Sequence, residues 1–267
     1  MIVLYILIVL FVLYTLSVMG RRGHKDLAGL RQWKYAHRGL HDDRLPENSM
    51  AAFKAALDHG YGIELDLHLL RDGNLAVMHD SALKRTTGAE GCIEDLTTKQ
   101  LADYRLNGTD QTIPTFQQVL DLYADKAPLI IELKPVGGNH AALTAKAVEM
   151  MEGYEGLYCM ESFDPRVVHW LKKNRPDICR GQLTENHFAS PAKLSGFLKF
   201  VLTHQLGNFL TMPDFVAYKY ADRKTVGNFL VRKLWGIQGV TWTLKSMDEY
   251  RTAVKEGWIP IFEDFKP

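Results

Sequence analysis

A histidine, an arginine and a glycine stand together at His37-Arg38-Gly39, and Pro46-Glu47-Asn48 and Glu64-Leu65-Asp66 follow soon after. A second histidine comes with an acid at His79-Asp80, and Glu132 and Lys134 lie further on. Glu64 and Asp66 are two positions apart, so on a strand both side chains point to one face. Left unpaired they repel and raise each other's pKa. A hard divalent cation, Mg²⁺ or Ca²⁺, takes oxygen ligands of this kind and relieves the repulsion. Glu132 supplies a third carboxylate, with Glu47 as a further candidate ligand. Arg38 and Lys134 beside such a cation make a place for an anion, because arginine grips phosphate oxygens with a planar fork. His37 and His79 are the groups able to exchange protons near neutral pH. Each piece alone has a plain reading, the acidic pair as a salt-bridged rim and the histidines as hydrogen-bonded structural residues. Converging on one rim, they point to metal-assisted chemistry on an anion, since burying so many polar groups unpaired would be costly.

That chemistry needs elements that bring the groups together. Each group ends an apolar, β-rich run, and nine such runs occur: 33–36, 62–67, 75–78, 129–133, 157–162, 178–183, 214–217, 239–243 and 259–262. Helical patterns lie between most of them. Asn48 caps a helix over Ser49–His59, Asp164-Pro165 opens Arg166–Asn174, and Ser246 opens Met247–Glu256. Strand-helix alternation gives a parallel sheet. The link Leu70-Arg71-Asp72-Gly73-Asn74 is too short for a parallel crossover, so the run ending at His79 folds back as a hairpin. Eight parallel strands remain, the number of a TIM-type (β/α)8 barrel, whose active sites gather at the strand C-termini. No glycine-rich nucleotide fingerprint follows the first strand. Ser162 and Trp242 reach the same rim, and Trp242 is a candidate to line the substrate pocket. A small insertion, about 70–115, follows strand 2. Thr184–Gly207 forms a second excursion, with an apolar helix around Leu194–Leu206.

The chain has 267 residues, 46% hydrophobic and 24% charged, enough for one large core. Lys+Arg number 32 against 31 Asp+Glu, and no recognition motif appears, so a nucleic-acid partner is not expected. Three cysteines, widely spaced, make neither a disulfide framework nor a CxxC metal site. Residues 1–19 carry no charged side chain, which predicts a transmembrane helix over 1–20. A cleaved signal peptide is disfavoured by the missing basic n-region and Ala-x-Ala site. Arg21, Arg22 and Lys25 follow, so the positive-inside rule predicts a single-pass membrane protein with its catalytic domain in the cytoplasm. Residues 21–32 then read as a juxtamembrane linker and 33–267 as the barrel.

The strings His37-Arg38-Gly39, Pro46-Glu47-Asn48-Ser49, Glu64-Leu65-Asp66-Leu67, Asp72-Gly73, His79-Asp80, Arg85-Thr86-Thr87-Gly88, Ile113-Pro114-Thr115, Glu132-Leu133-Lys134-Pro135, Ser162-Phe163 and Trp242-Thr243 resemble, in order, the glycerophosphodiester phosphodiesterase family. The resemblance implies a TIM-type barrel that hydrolyses glycerophosphodiesters to glycerol 3-phosphate and an alcohol with a divalent metal. It implies metal ligands at Glu64, Asp66 and Glu132, acid/base histidines at His37 and His79, and a phosphate-gripping Arg38. It also implies a site lysine at Lys134 and a near-metal Glu47. Ser49 replaces the familiar threonine, Leu70-Arg71-Asp72-Gly73 replaces Thr-x-Asp-Gly, and Phe262-Glu263-Asp264 replaces the usual Thr-Asp. Two other expectations stand beside the soluble substrate. One is a lysophospholipase D acting on lysophospholipids at the membrane surface. The other is a non-catalytic, membrane-tethered binding module, which needs a missing site group, and none is missing.

Overall fold

The computed structural model describes residues 1–190 and 193–267. The eleven α-helices among them are α1 (Ile2–Ser17), α2 (Leu27–Leu30), α3 (Met50–Asp58), α4 (Lys84–Thr87), α5 (Phe116–Tyr123), α6 (His140–Met150), α7 (Pro165–Asn174), α8 (Gly196–Thr203), α9 (Asn208–Thr211), α10 (Val226–Phe229) and α11 (Met247–Lys255). The strands are β1 (Tyr35–His37), β2 (Gly62–Leu69), β3 (Leu75–Val77), β4 (Leu129–Leu133), β5 (Tyr158–Ser162), β6 (Arg180–Thr184), β7 (Phe215–Lys219), β8 (Gln238–Leu244) and β9 (Trp258–Phe262). All but β3 run parallel, in the order β1-β2-β4-β5-β6-β7-β8-β9, and β9 pairs back onto β1. The sheet is a closed eight-stranded TIM-type barrel. β3 is antiparallel to β2, with Leu67 opposite Val77, as the five-residue link requires.

Alternation along each strand divides the core in two. Ile63, Leu65, Leu67, Ile131, Leu133 and Met160 point outward and meet Phe53, Phe116, Val119, Leu143, Val167 and Leu171 of the surrounding helices. Tyr35, Ile130, Cys159, Phe215, Val240 and Ile259 fill the barrel interior, and Leu27 and Leu30 of α2 pack against them as a plug. The same period of two turns Glu64, Asp66 and Glu132 inward. The insertion carries its own small core of Leu70, Met78, Leu83, Ile93, Leu101 and Ile113. Helix starts follow capping chemistry: Asp164 accepts from the Arg166 N–H at 2.9 Å with Pro165 in the first turn, and Ser246 accepts from Glu249. α3 differs from expectation by one residue. Ser49 is its cap, accepting from the Ala52 N–H at 3.1 Å, while Asn48 sits in the left-handed region at φ 54°.

The expected transmembrane helix over 1–20 needs correction. α1 has 16 residues, about 24 Å at 1.5 Å per residue, against a hydrocarbon core of about 30 Å. Among the described residues no helix is long and apolar enough to cross a membrane. The end of the apolar stretch belongs to the barrel wall instead. Val18 is buried beside Val216, Leu230 and Ile237, and Trp235 Nε1 donates to the Thr15 carbonyl at 2.6 Å. Residues 21–32, expected as a juxtamembrane linker, touch the barrel: Arg21 donates to Asp214 at 2.7 Å, and Leu27 and Leu30 of α2 pack into its interior.

Candidate active site

Glu64 and Asp66 on β2 and Glu132 on β4 each present a carboxylate oxygen, and these atoms lie within 4.8 Å of one another. All three are buried. Register explains the grouping, because Asp66 pairs directly with Glu132 across the β2–β4 ladder. The electrostatics are those of crowded acids. Burial, then Asp66 and Glu132, push Glu64 well above the ordinary carboxylate range. Burial pushes Glu132 up to about 7 against the pull of Lys134. Asp66 goes the other way: burial would raise it, but Lys134, Arg38 and His79 overcome that and hold it ionised. Buried, mutually repelling oxygens are the donor set a hard divalent cation fits, so the residues present suit such an ion.

Lys134 Nζ stands 2.8 Å from Glu132 and 3.1 Å from Asp66. Arg38 lies 3.4 Å from Asp66 through Nε, and its backbone N–H donates to Glu64 at 3.2 Å. Glu47, expected near the metal, is placed elsewhere. Its two oxygens accept from Arg38 Nη1 at 2.8 Å and from Arg85 at 2.8 and 2.7 Å. It thus braces Arg38, and the three carboxylates clustered within 4.8 Å are Glu64, Asp66 and Glu132.

The two histidines share one design. His37 Nδ1–H donates to Glu263, and His79 Nδ1–H donates to Asp80 at 2.6 Å. Each bond fixes the ring and leaves Nε2 for the site, with His37 Nε2 standing 3.8 Å from Glu64. Burial lowers His37 despite the Glu263 hydrogen bond, and lowers His79 to about 4 despite Asp66. Burial thus favours the neutral form of both rings more than in a free imidazole. Glu263 stays ionised because its hydrogen bond to His37 and its contact with Lys245 at 2.6 Å outweigh its burial. A cavity of about 820 Å³ opens over these groups, walled by Phe163, Trp242, His187, Leu198 and Leu202. Phe163 and Trp242 meet edge to face at 5.7 Å. Thus His37, His79, Arg38, Lys134, Glu64, Glu132 and Trp242 all line one cavity, with Asp66 beneath.

Five participants escaped the reading of the chain. Asn48 Nδ2 donates to Asp66 at 2.8 Å, a role hidden by its usual meaning as a helix cap. Glu263 stood out only as a departure from a pattern, and its partner lies 226 positions away. Asp80 and Arg85 were visible only as parts of strings. Glu161 on β5, opposite Glu132, sits within an apolar run that gave no warning.

A model of the glycerophosphoryl diester phosphodiesterase family matches residues 37–266. A glycerophosphodiester phosphodiesterase from Caldanaerobacter subterraneus is 32% identical over 86% of this chain and 92% of its own length. A lysophospholipase D from Rattus norvegicus is 27% identical over 86% of this chain and 82% of its own length. Among solved structures, an Oleispira antarctica phosphodiesterase in complex with sn-glycerol-3-phosphate superposes with a TM-score of 0.70 at 23% identity, over 87% of this chain and 92% of that one. A glycerophosphodiester phosphodiesterase from Thermotoga maritima gives 0.65 at 24%, over 86% and 93%. At such identities the structural likeness speaks for the fold alone.

Proposed function

This chain belongs to the glycerophosphoryl diester phosphodiesterase family, and on that premise we propose that it hydrolyses glycerophosphodiesters to glycerol 3-phosphate and an alcohol with Mg²⁺ or Ca²⁺ held by Glu64, Asp66 and Glu132. The carrying observation is the cluster of three buried carboxylates within 4.8 Å, flanked by two histidines, Arg38 and Lys134. When bound, a divalent cation supplies charge neutralisation at the phosphoryl oxygens. Arg38, braced by Glu47, grips the phosphate, and Lys134 adds its charge beside it. His37 and His79 present Nε2 to the substrate, one as the neutral ring taking a proton from the nucleophile there, and the other, carrying a second proton on Nε2, giving it to the leaving alkoxide. The nucleophile is water or the neighbouring glycerol hydroxyl, the latter through a cyclic phosphate. Release of choline from glycerophosphocholine, abolished by EDTA and restored by Mg²⁺ or Ca²⁺, tests the reading. Full activity in EDTA rejects it.

A second reading has its own observation. A further cavity of about 730 Å³ shares Pro165, Arg166, Leu183, Leu198 and Leu202 with the first and continues toward Trp170, Val201 and Leu210. An apolar space leading away from the phosphate site suits one acyl chain, and hence a lysophospholipid. The exposed Phe197, Phe200 and Phe209, together with the apolar surface of α1, suit attachment at a bilayer surface. On this reading the protein works at a membrane surface.

A further inference from the structure

Glu161 is 1% exposed on β5, in register with Glu132, and it lines the same cavity as His37, Glu132 and Lys134. The other carboxylates lining that cavity each have a donor. Glu64 accepts from the Arg38 N–H at 3.2 Å, Glu132 from Lys134 at 2.8 Å, Asp164 from Arg166 at 2.6 Å and Glu185 from Lys219 at 3.2 Å. Glu161 differs: among the described residues its Oε2 is buried with no hydrogen-bond partner. A buried acceptor left unmatched weakens the fold, so its retention asks for a reason. Metal ligation is not that reason, because the clustered oxygens within 4.8 Å are those of Glu64, Asp66 and Glu132 without it. A second ammonium group is disfavoured because Lys134 Nζ already stands among these acids, 2.8 Å from Glu132 and 3.1 Å from Asp66. A neutral hydroxyl donor remains, and a carboxyl group keeps an acceptor oxygen for it in either protonation state.

We propose that Glu161 accepts a hydroxyl of the substrate's glycerol moiety and is the residue by which the site separates glycerol-bearing phosphodiesters from other phosphodiesters. This rests on the phosphodiesterase reading above. A site that hydrogen-bonds a substrate hydroxyl rejects the analogue lacking it far more strongly than an apolar wall can, because a buried group is then stranded.

The test compares Glu161→Leu and Glu161→Gln in the full chain with wild type. Calorimetric titration measures the affinity for glycerol 3-phosphate and, separately, for inorganic phosphate. Glu161→Leu should weaken glycerol 3-phosphate by about 10- to 100-fold and leave inorganic phosphate within about threefold. Glu161→Gln, which keeps a carbonyl acceptor, should recover most of the loss. Glu161→Leu should melt no lower than wild type, since an unmatched buried acid has been removed. Glycerophosphocholine turnover should fall while bis(p-nitrophenyl) phosphate turnover holds. Equal weakening of both ligands, no weakening, or a lower melting temperature with parallel losses overturns the proposal. So does a wild type that binds glycerol 3-phosphate no better than phosphate. A wild type that hydrolyses no glycerophosphodiester sinks the functional reading instead, with the binding comparison still readable.

Discussion

Glu64→Gln should separate metal binding from folding. Three ionised oxygens within 4.8 Å of one another repel by at least about 3.5 kcal/mol per pair at an effective dielectric near 20. The metal-free protein escapes this by keeping a proton, and burial with Asp66 and Glu132 favours Glu64 as its holder. Glutamine copies that neutral shape and keeps an oxygen for the Arg38 N–H. The metal-free variant should therefore unfold within about 1 kcal/mol of wild type. With Mg²⁺ at 100 times its Kd, wild type should gain about 2.7 kcal/mol. That corresponds to a rise in Tm of about 5–11 °C for a chain of this size. The variant should show almost none of this rise at the same Mg²⁺, and its glycerophosphocholine hydrolysis should drop at least about 10²-fold. Scanning calorimetry with and without Mg²⁺, beside a choline-release assay, reads both effects. A variant that keeps the full metal-induced rise would refute the ligand assignment, and one that unfolds without metal would refute the neutral-carboxyl argument.

Burial pushes Glu132 up to about 7 and Glu64 also keeps a proton without metal, so protons compete with the cation and Mg²⁺ affinity should climb at least about tenfold from pH 6 to 8 with proton release. Titration calorimetry showing a flat affinity contradicts this. His37→Ala and His79→Ala should each slow turnover about 10²–10⁴-fold, and the wild-type pH–rate profile should be bell-shaped; a flat profile in all three counts against proton exchange. Glu263→Gln should cost about 10- to 100-fold through loss of the charged partner of His37. Because Glu263 raises His37 against its burial, the limb of the profile governed by His37 should move to lower pH, and an unmoved limb denies the link. Phe197→Asp with Phe200→Asp should cut lysophospholipid hydrolysis in vesicles while sparing glycerophosphocholine. Equal loss on both substrates makes α8 an ordinary part of the fold.

The barrel was legible because its strands carry their signals locally. Each is a short apolar run that ends in polar residues, and the five residues from Leu70 to Asn74 settle the direction of β3 by length alone. The inward carboxylates follow from the period of two on β2 and β4. What stayed hidden depends on neighbours remote in the chain. Asn48 is a capping residue by type, yet its left-handed backbone turns the amide to Asp66 and leaves the cap to Ser49. Glu47 looks like another metal ligand until Arg85, 38 positions on, is seen to occupy it. The uncharged N-terminal stretch has the composition of a span, but contacts from Trp235 and Val216 claim its last turn. Composition could not reveal that.

The narrow seam between the first and last strands has a further consequence. β1 and β9 meet through only Tyr35 with Ile261 and Ala36 with Phe262, and the next residues on either side are His37 and Glu263. Closing the cylinder and aiming the imidazole are thus one event, joining segments 226 positions apart in the chain. Contacts of such range form late in folding, so a newly made molecule acquires its aligned histidine only as the wall becomes continuous. The same dependence runs backwards under mild heat or denaturant. If His37 has the proposed role, fraying at this short junction should silence the enzyme while the remaining strands and helices keep their spectroscopic signature.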